Sequence, residues 1–345
     1  MANTVLATRP PSAFNITQWW RKLRRRHVFL GISVFLLLLV AGTGILAPLI
    51  APHDPHKGNL ADQKLPPAWI GERTTTKTVV EFPEPGLSHR QISISRAQRI
   101  DPNAALGGEV QVILREGGNS RYLLGTDDLG RDILSRIIYG ARISLIIAGV
   151  TLGIGGAIGT GLGLIAGYFG RLVDELLMRI VDIFLALPLV LVALVLVVAV
   201  GQSFFITTMV LVLFIWVRFA RQIRGEVLQL KTMDYVSLAK VAGASTPRIL
   251  FIHLFPGVIN TLIVVATLQV SIVILVESTL SFLGAGVPPP TPAWGSMVAD
   301  GRDFLADAWW ISTMPGVAIL LTVLSLNLFG DWLRDRLDPK LRQLN

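Results

Sequence analysis

Apolar residues dominate six stretches of the chain, each close to the ~20 residues that a helix needs to cross a bilayer. They are Val28–Ile50, Ile143–Gly167, Ile180–Val200, Phe204–Ala220, Val258–Gly284 and Ala308–Gly330. Gly201-Gln202-Ser203 alone separates the third from the fourth, which leaves room only for a tight hairpin turn. Between the first and second stretches the pattern changes. A proline-studded segment from Pro48 to Pro67 gives way to alternation in Thr78-Val79-Val80-Glu81-Phe82 and in Glu109-Val110-Gln111-Val112-Ile113-Leu114-Arg115. A period of two predicts short strands, so a small β-rich insert is expected over Gly71–Arg121. Its Gly, Pro and Ser content makes a disordered loop the plain alternative. After it the period lengthens. Leu129, Ile133, Leu134, Ile137 and Ile138 share one helical face, and Asp127/Arg131 and Asp132/Arg136 have the spacing of i,i+4 ion pairs. This predicts an amphipathic helix along the membrane surface over 123–142, ending near Gly140.

The segment DYVSLAKVAGASTPRILFIHLFPG, Asp234–Gly257, is polar yet lies between two apolar runs. Asp234 is expected to N-cap a short helix, and Gly243 to take the left-handed position that ends it. Thr246 followed by Pro247 reads as the cap and first residue of a second helix running towards Pro256.

Composition fits a multi-span membrane protein. Hydrophobic residues make up 52% of the chain and charged residues 16%, and the mean hydropathy is +0.60. With no cysteine, disulfides and thiolate metal sites are excluded. The net charge of +8 belongs on loops facing anionic lipid, and no nucleic-acid partner is expected. No removable signal peptide is expected either, because the first apolar run is too long and has no small-residue cleavage site. Basic residues cluster at Arg21, Lys22, Arg24, Arg25 and Arg26, at Arg218, Arg221, Arg224 and Lys231, and at Arg334, Arg336, Lys340 and Arg342. With six spans, all three clusters fall on one side, which the positive-inside rule makes the cytoplasm. Both termini and the 234–256 loop are then cytoplasmic, and the long 51–122 loop is external.

Within the spans, Gly155, Gly159, Gly163 and Gly167 recur at steps of four, beside a second row of Gly149, Gly153, Ala157 and Gly161. Such spacing lets another helix approach closely, in this chain's own bundle or in a partner's. No strand precedes these glycines, so they are not a nucleotide-binding turn. Glu277, deep in the fifth stretch, and Asp182, near the start of the third, should face protein or water. Each reads either as lining of a solute path or as a hydrogen-bonded anchor. Catalytic motifs are missing: there is no GxxxxGK[ST], HExxH or GxSxG. His53-Asp54-Pro55-His56 has the residue types of a metal pair, but its prolines argue for an extended turn. No catalytic residue, metal site or cofactor is expected.

The 234–256 segment resembles the coupling loop of ABC importer permeases, whose pattern is Glu-Ala-Ala, three residues, Gly, nine residues, then Ile-x-Leu-Pro. Ala239, Gly243 and Pro256 fall on its second alanine, glycine and proline. Ser237 and Leu238 replace the Glu-Ala pair, and His253 and Phe255 replace the isoleucine and leucine. Asp-Tyr-Val before the loop motif, Leu-Gly-Thr-Asp-Asp-Leu-Gly-Arg-Asp from Leu124 and Glu-Ser-Thr-Leu-Ser-Phe-Leu-Gly from Glu277 are similar to the oligopeptide, dipeptide and nickel branch. The resemblance implies an all-α membrane protein of six transmembrane helices, a five-helix MetI-like core plus an N-terminal span. The corresponding divisions are a tail at 1–27, a first span at 28–50, the external loop at 51–122, the interfacial helix at 123–142, the permease domain at 143–333 and a tail at 334–345. It further implies a multi-pass subunit of the bacterial plasma (inner) membrane that imports peptides, nickel chelates or opines. Its implied partners are a second homologous permease subunit, two ABC ATPase subunits, an external solute-binding protein and the lipid bilayer. ATPase coupling would fall on Asp234, Ser237, Leu238, Ala239, Val241, Gly243, Thr246, Pro247 and Pro256. An ion-gradient-driven secondary transporter is the alternative and predicts inverted repeats or half-helices.

Overall fold

A computed structural model describes residues 16–81 and 91–337. The chain enters through helix α1 (Ile16–Ile45), breaks at Leu46 and makes a single turn, α2 (Ala47–Ile50). Leu30–Ile45 of α1 is apolar. The next segment holds strands β1 (Arg73–Val80) and β2 (Gln91–Ser93), helix α3 (Ile94–Ile100) and strand β3 (Glu109–Arg115). The strands form one sheet in the order β2-β1-β3, parallel on one side of β1 and antiparallel on the other. Val79, Ile92, Ala97, Ala104 and Val110 close a core of their own between sheet and helix. Phe82, at the end of the first alternating stretch, lies outside the described residues.

The bundle follows: α4 (Ile133–Phe169), α5 (Arg171–Ala186), α6 (Leu189–Val200), α7 (Phe204–Leu230), α8 (Asp234–Val241), α9 (Thr246–Arg248), α10 (Phe255–Phe282), α11 (Trp294–Gly301) and α12 (Trp310–Leu337). A π-helical turn, Ile249–Leu254, joins α9 to α10, so helix runs on from Thr246 to Phe282. The fold is predominantly helical.

Among the described residues four helices are long and apolar enough to cross a membrane: α4, α7, the continuous Thr246–Phe282 and α12. The count is five if the bent pair α5–α6 is one crossing. The third expected stretch is not a straight span. It bends by 79° between α5 and α6, at Leu187-Pro188. Proline has no N–H and pushes the preceding residue out of the helical region, and Leu187 is accordingly extended at φ −80°, ψ 129°.

The bundle is pinned by glycine. A Cβ on Gly155 would meet the Ile215 side chain, and one on Gly159 the Trp216 carbonyl. On Gly163 it would lie 2.7 Å from the Ala220 carbonyl oxygen, and on Gly167 2.7 Å from Val227. The stripe therefore seats α4 on α7 of the same chain, which settles the choice left open by the spacing. Gly149, Gly153 and Gly161 have nothing within 4 Å of such a Cβ. Elsewhere α10 packs on α4, α7 and α12, and α1 lies against α4 and α12. Ser271 donates a 2.6 Å hydrogen bond to Asn327, tying α10 to α12.

Candidate functional site

The loop between α7 and α10 is a compact knob held by buried apolar residues. Val236 of α8 is fully buried in a cluster with Leu164, Ile223, Val227, Ile249, Leu254 and Val258, where α4, α7 and α10 meet. Leu238 and Val241, on the far side of α8, are 68% and 87% exposed. Asp234 does not cap α8 as expected: Met233 is the N-cap and makes no side-chain bond, leaving Asp234 in the first turn, where its charge suits the helix dipole. Thr246 is likewise inside α9, after Ser245. Gly243 does end α8, at φ +78°. Its N–H bonds the Lys240 carbonyl at 3.0 Å, and the Ala244 N–H bonds the Ala239 carbonyl at 3.0 Å, the paired bonds of a Schellman turn. Ser237 and Pro247 are exposed and Ala239 is half-buried.

The second helix does not stop at Pro256. That proline sits in the first turn of α10, and the widened π turn lies just before it. Proline brings no N–H to the carbonyl four residues back, and the Phe255 N–H reaches the Leu250 carbonyl instead. Behind the knob, Lys231 donates to the Gly167 carbonyl at 2.7 Å. Arg224 grips Asp174 through two hydrogen bonds, one of 2.9 Å. Lys240 stands 5.2 Å from the Tyr168 ring centroid. The end of α4 is thus fastened to α7, and α7 to α5, beside the exposed α8.

At the other end of α4 the expected surface helix over 123–142 is replaced. Residues 124–132 form a loop with Gly125 at φ +82° and Gly130 at φ +71°, and α4 starts at Ile133 and continues into the bundle. The Asp127 carboxylate accepts from the N–H groups of Leu129 and Arg131 at 2.9 Å each. It also accepts from Arg131 Nε and Arg136 Nη1 at 2.7 Å each. The expected Asp132/Arg136 pair does not form. Asp132 instead caps α4, accepting from the Ser135 N–H at 3.0 Å and its hydroxyl at 2.6 Å. Arg136 turns to Asp127 and, at 3.9 Å, to Asp300. Burial raises the Asp300 carboxyl above the ordinary aspartate value, and the Arg136 charge acts the other way. Asp127, Arg131, Asp132 and Arg136 are buried and Asp128 is half-buried, so these charges bind the entry of α4 together rather than anchoring it at headgroups. His53 and His56 diverge: His53 Nδ1 lies 3.4 Å from Asp132, and His56 Nδ1 lies 3.2 Å from the Pro290 carbonyl. No group of three metal-ligating side chains forms among the described residues.

The two carboxylates at membrane depth separate. Glu277 is fully buried, accepting from the Ser281 hydroxyl at 2.7 Å and the Ser144 hydroxyl at 3.4 Å; it anchors α10 to α4. Asp182 is half-exposed and ion-paired with Arg221 of α7. Near it, α5, α6, α7 and α10 line a partly open cavity of about 150 Å³, walled by Phe184, Leu189, Phe214 and Val276 among other apolar residues, with Arg218 as its one charged group. The sequence placed Arg218 in a basic cluster and missed this cavity; the proline at 188 was the available signal.

Residues 159–343, more than half of the chain, match the family described as "Binding-protein-dependent transport system inner membrane component". The chain belongs to this permease family. Residues 17–67 of the permease match the "N-terminal TM domain of oligopeptide transport permease C". It is 38% identical to the dipeptide transport system permease protein DppC of Haemophilus influenzae over 343 residues, covering 99% of this chain and 100% of that one. It is 37% identical to the di/tripeptide permease DppC of Pseudomonas aeruginosa, covering 95% of this chain and 93% of that one. With DppC of Escherichia coli it shares 51% identity over 229 residues, 66% of this chain and 76% of the relative. Among solved structures it is similar to an inward-facing form of the MetNI methionine ABC transporter, with a TM-score of 0.50 and 17% identity, covering 60% of this permease and 98% of that chain. That likeness establishes a shared MetI-like fold.

Proposed function

We propose that this permease forms half of the membrane pathway of an ATP-driven importer for di- and tripeptides. The observation that carries the reading is end-to-end likeness to dipeptide permeases, which includes the 71–121 region as well as the bundle. A second, homologous permease would supply the other half, and two ABC ATPases and an external solute-binding protein would complete the complex. ATP hydrolysis belongs to the ATPases; this chain makes and breaks no covalent bond. Exposed Leu238 and Val241 and the sharp turn at Gly243 suit α8 to enter a groove on an ATPase. The π turn and the unbroken helix beyond it would carry that push to α10. Both termini and α8 are then cytoplasmic and the β insert external.

A gradient-driven carrier predicts broken helices, and α5–α6 is one. Its bend has a sufficient local cause in Pro188, and no inverted counterpart occurs among the described residues. Reconstitution decides between the two. Vesicles holding both permeases and both ATPases should accumulate a labelled dipeptide only with internal ATP and external binding protein. Uptake by this chain alone down an ion gradient would overturn the reading. Uptake of nickel chelates or opines in place of peptides would correct the substrate class.

A further inference from the structure

The basic residues of α7 are not equivalent. Arg224 is held by Asp174 and Arg221 by Asp182, but Arg218 makes no hydrogen bond or ion pair among the described residues. It lies about 21 Å along α7 from Phe204 at 1.5 Å per residue, two residues before the apolar stretch ends at Ala220, and it is exposed. The α5–α6 bend opens the cavity beside it. Leu187 and Leu189 on either side of the break, Leu211 and Phe214 of α7, and Val273 and Val276 of α10 line the space into which Arg218 faces. α1 packs on α4 and α12 and contributes no residue to the cavity lining. A guanidinium facing an otherwise apolar wall calls for an anionic partner, and Asp182, the nearby carboxylate on α5, is already engaged by Arg221.

We propose that Arg218 is a substrate-binding residue of the translocation path, receiving the terminal carboxylate of a peptide while the apolar wall accepts its side chain. This rests on the peptide-import reading and adds to it a residue and a recognised group. A guanidinium presents two parallel N–H donors that match a carboxylate. Every unmodified linear peptide carries a terminal carboxylate whatever its sequence, so such a contact would hold diverse peptides without selecting among side chains.

The test uses the full complex in vesicles without the binding protein, so that the receptor's own selectivity does not intervene. The probe is a photoreactive dipeptide, alanyl-p-benzoylphenylalanine, as the free acid and as its C-terminal amide. In the wild-type complex the free acid should label this chain about tenfold more than the amide, the scale of one charge-assisted contact. The labelled residues should map to 211–218 or 272–276. Arg218→Gln should abolish the preference and Arg218→Lys retain much of it, in neutral phosphatidylcholine as in phosphatidylglycerol vesicles. Equal labelling by acid and amide, or adducts mapping elsewhere, overturns the proposal from the wild-type complex alone. So does a preference that survives Arg218→Gln. An effect of Arg218→Gln confined to phosphatidylglycerol would make the partner a lipid headgroup and likewise overturn it. ATP- and receptor-dependent dipeptide uptake by the same wild-type preparation tests the import reading separately.

Discussion

At Gly243 the constraint is conformational and not steric. Its φ of +78° disfavours any side chain, yet nothing in this chain lies within 4 Å of where a Cβ would stand. Gly243→Ala should therefore cost about 1 kcal/mol in the isolated chain. Gly243→Asp should abolish ATP-driven uptake while the permease still reaches the membrane, because it adds bulk and charge at the surface proposed to meet the ATPase. Ser237→Ala should cost little, since the Ser237 side chain is exposed. Uptake and ATPase pull-down decide it; equal damage from Ser237→Ala would sink a docking account based on shape. Asp127 is the opposite kind of residue, with two arginines and two N–H groups converging on one buried carboxylate. Asp127→Asn leaves Arg131 without its charge partner and Arg136 with only Asp300 at 3.9 Å. We expect a loss of about 3–5 kcal/mol, read as a lowered unfolding temperature of the purified chain in detergent. A loss below about 1 kcal/mol would show that Asp300 or water compensates, against the pairing described.

Helices α4 and α7 show how one face of an element is committed while its neighbour stays open. Gly159 abuts the α7 backbone, whereas Gly153 on the next row has free space. Gly159→Leu should force the two helices apart and leave the detergent-purified chain aggregated or strongly destabilised. Gly153→Leu should be tolerated by the same chain. Size-exclusion profiles and thermal unfolding of the two variants check this. Comparable damage from both would mean that α4 is intolerant of bulk for some reason other than its seat on α7. The bent pair α5–α6 and the π turn before Pro256 share a cause: a proline withdraws one donor from an apolar helix, and the chain answers with a break in one place and a widened turn in the other. The outcome differs because α5 is held to α7 at Asp174 and Asp182 while α6 leaves in a new direction, whereas α10 continues straight into the bundle.

For the whole molecule, the β insert is a side branch. Its strands and helix make their main contacts with one another, and its ends meet where the Gly118 N–H bonds the Ile70 carbonyl at 2.7 Å. Deleting Glu72–Glu116 should leave the bundle assembled, by co-purification with its partners. It should weaken binding-protein affinity or receptor-stimulated uptake if the insert lies at the external mouth; no change in either measurement would remove that docking role. Orientation has an independent check in this cysteine-free chain. An impermeant thiol reagent should label intact cells carrying Thr76→Cys and spare those carrying Ser237→Cys. Labelling in the reverse pattern would invert the proposed topology.

Local physics made much of this molecule legible from its residues. Lipid-length apolar runs located α4, α7, α10 and α12; alternation located β3 and only the last three residues of β1; a glycine between two short polar segments located the turn after α8. The family strings at Leu124 and Glu277 carried the identity. Other features depended on groups far apart in the chain. Asp127 and Arg136 are nine residues apart and meet only because two positive-φ glycines fold residues 124–132 into a loop, which a helical-face reading of the same residues could not foresee. The glycine stripe's choice of partner depended on α7 being beside it, and a repeat of four states only that something fits there. Whether a charge within an apolar helix is an anchor or faces a cavity was likewise a tertiary matter. Glu277 is enclosed by serines from its own helix and from α4, while Arg218 is left facing a cavity opened by a bend thirty residues earlier in the chain. Sequence sets which groups must be satisfied; the arrangement of helices decides which of them are.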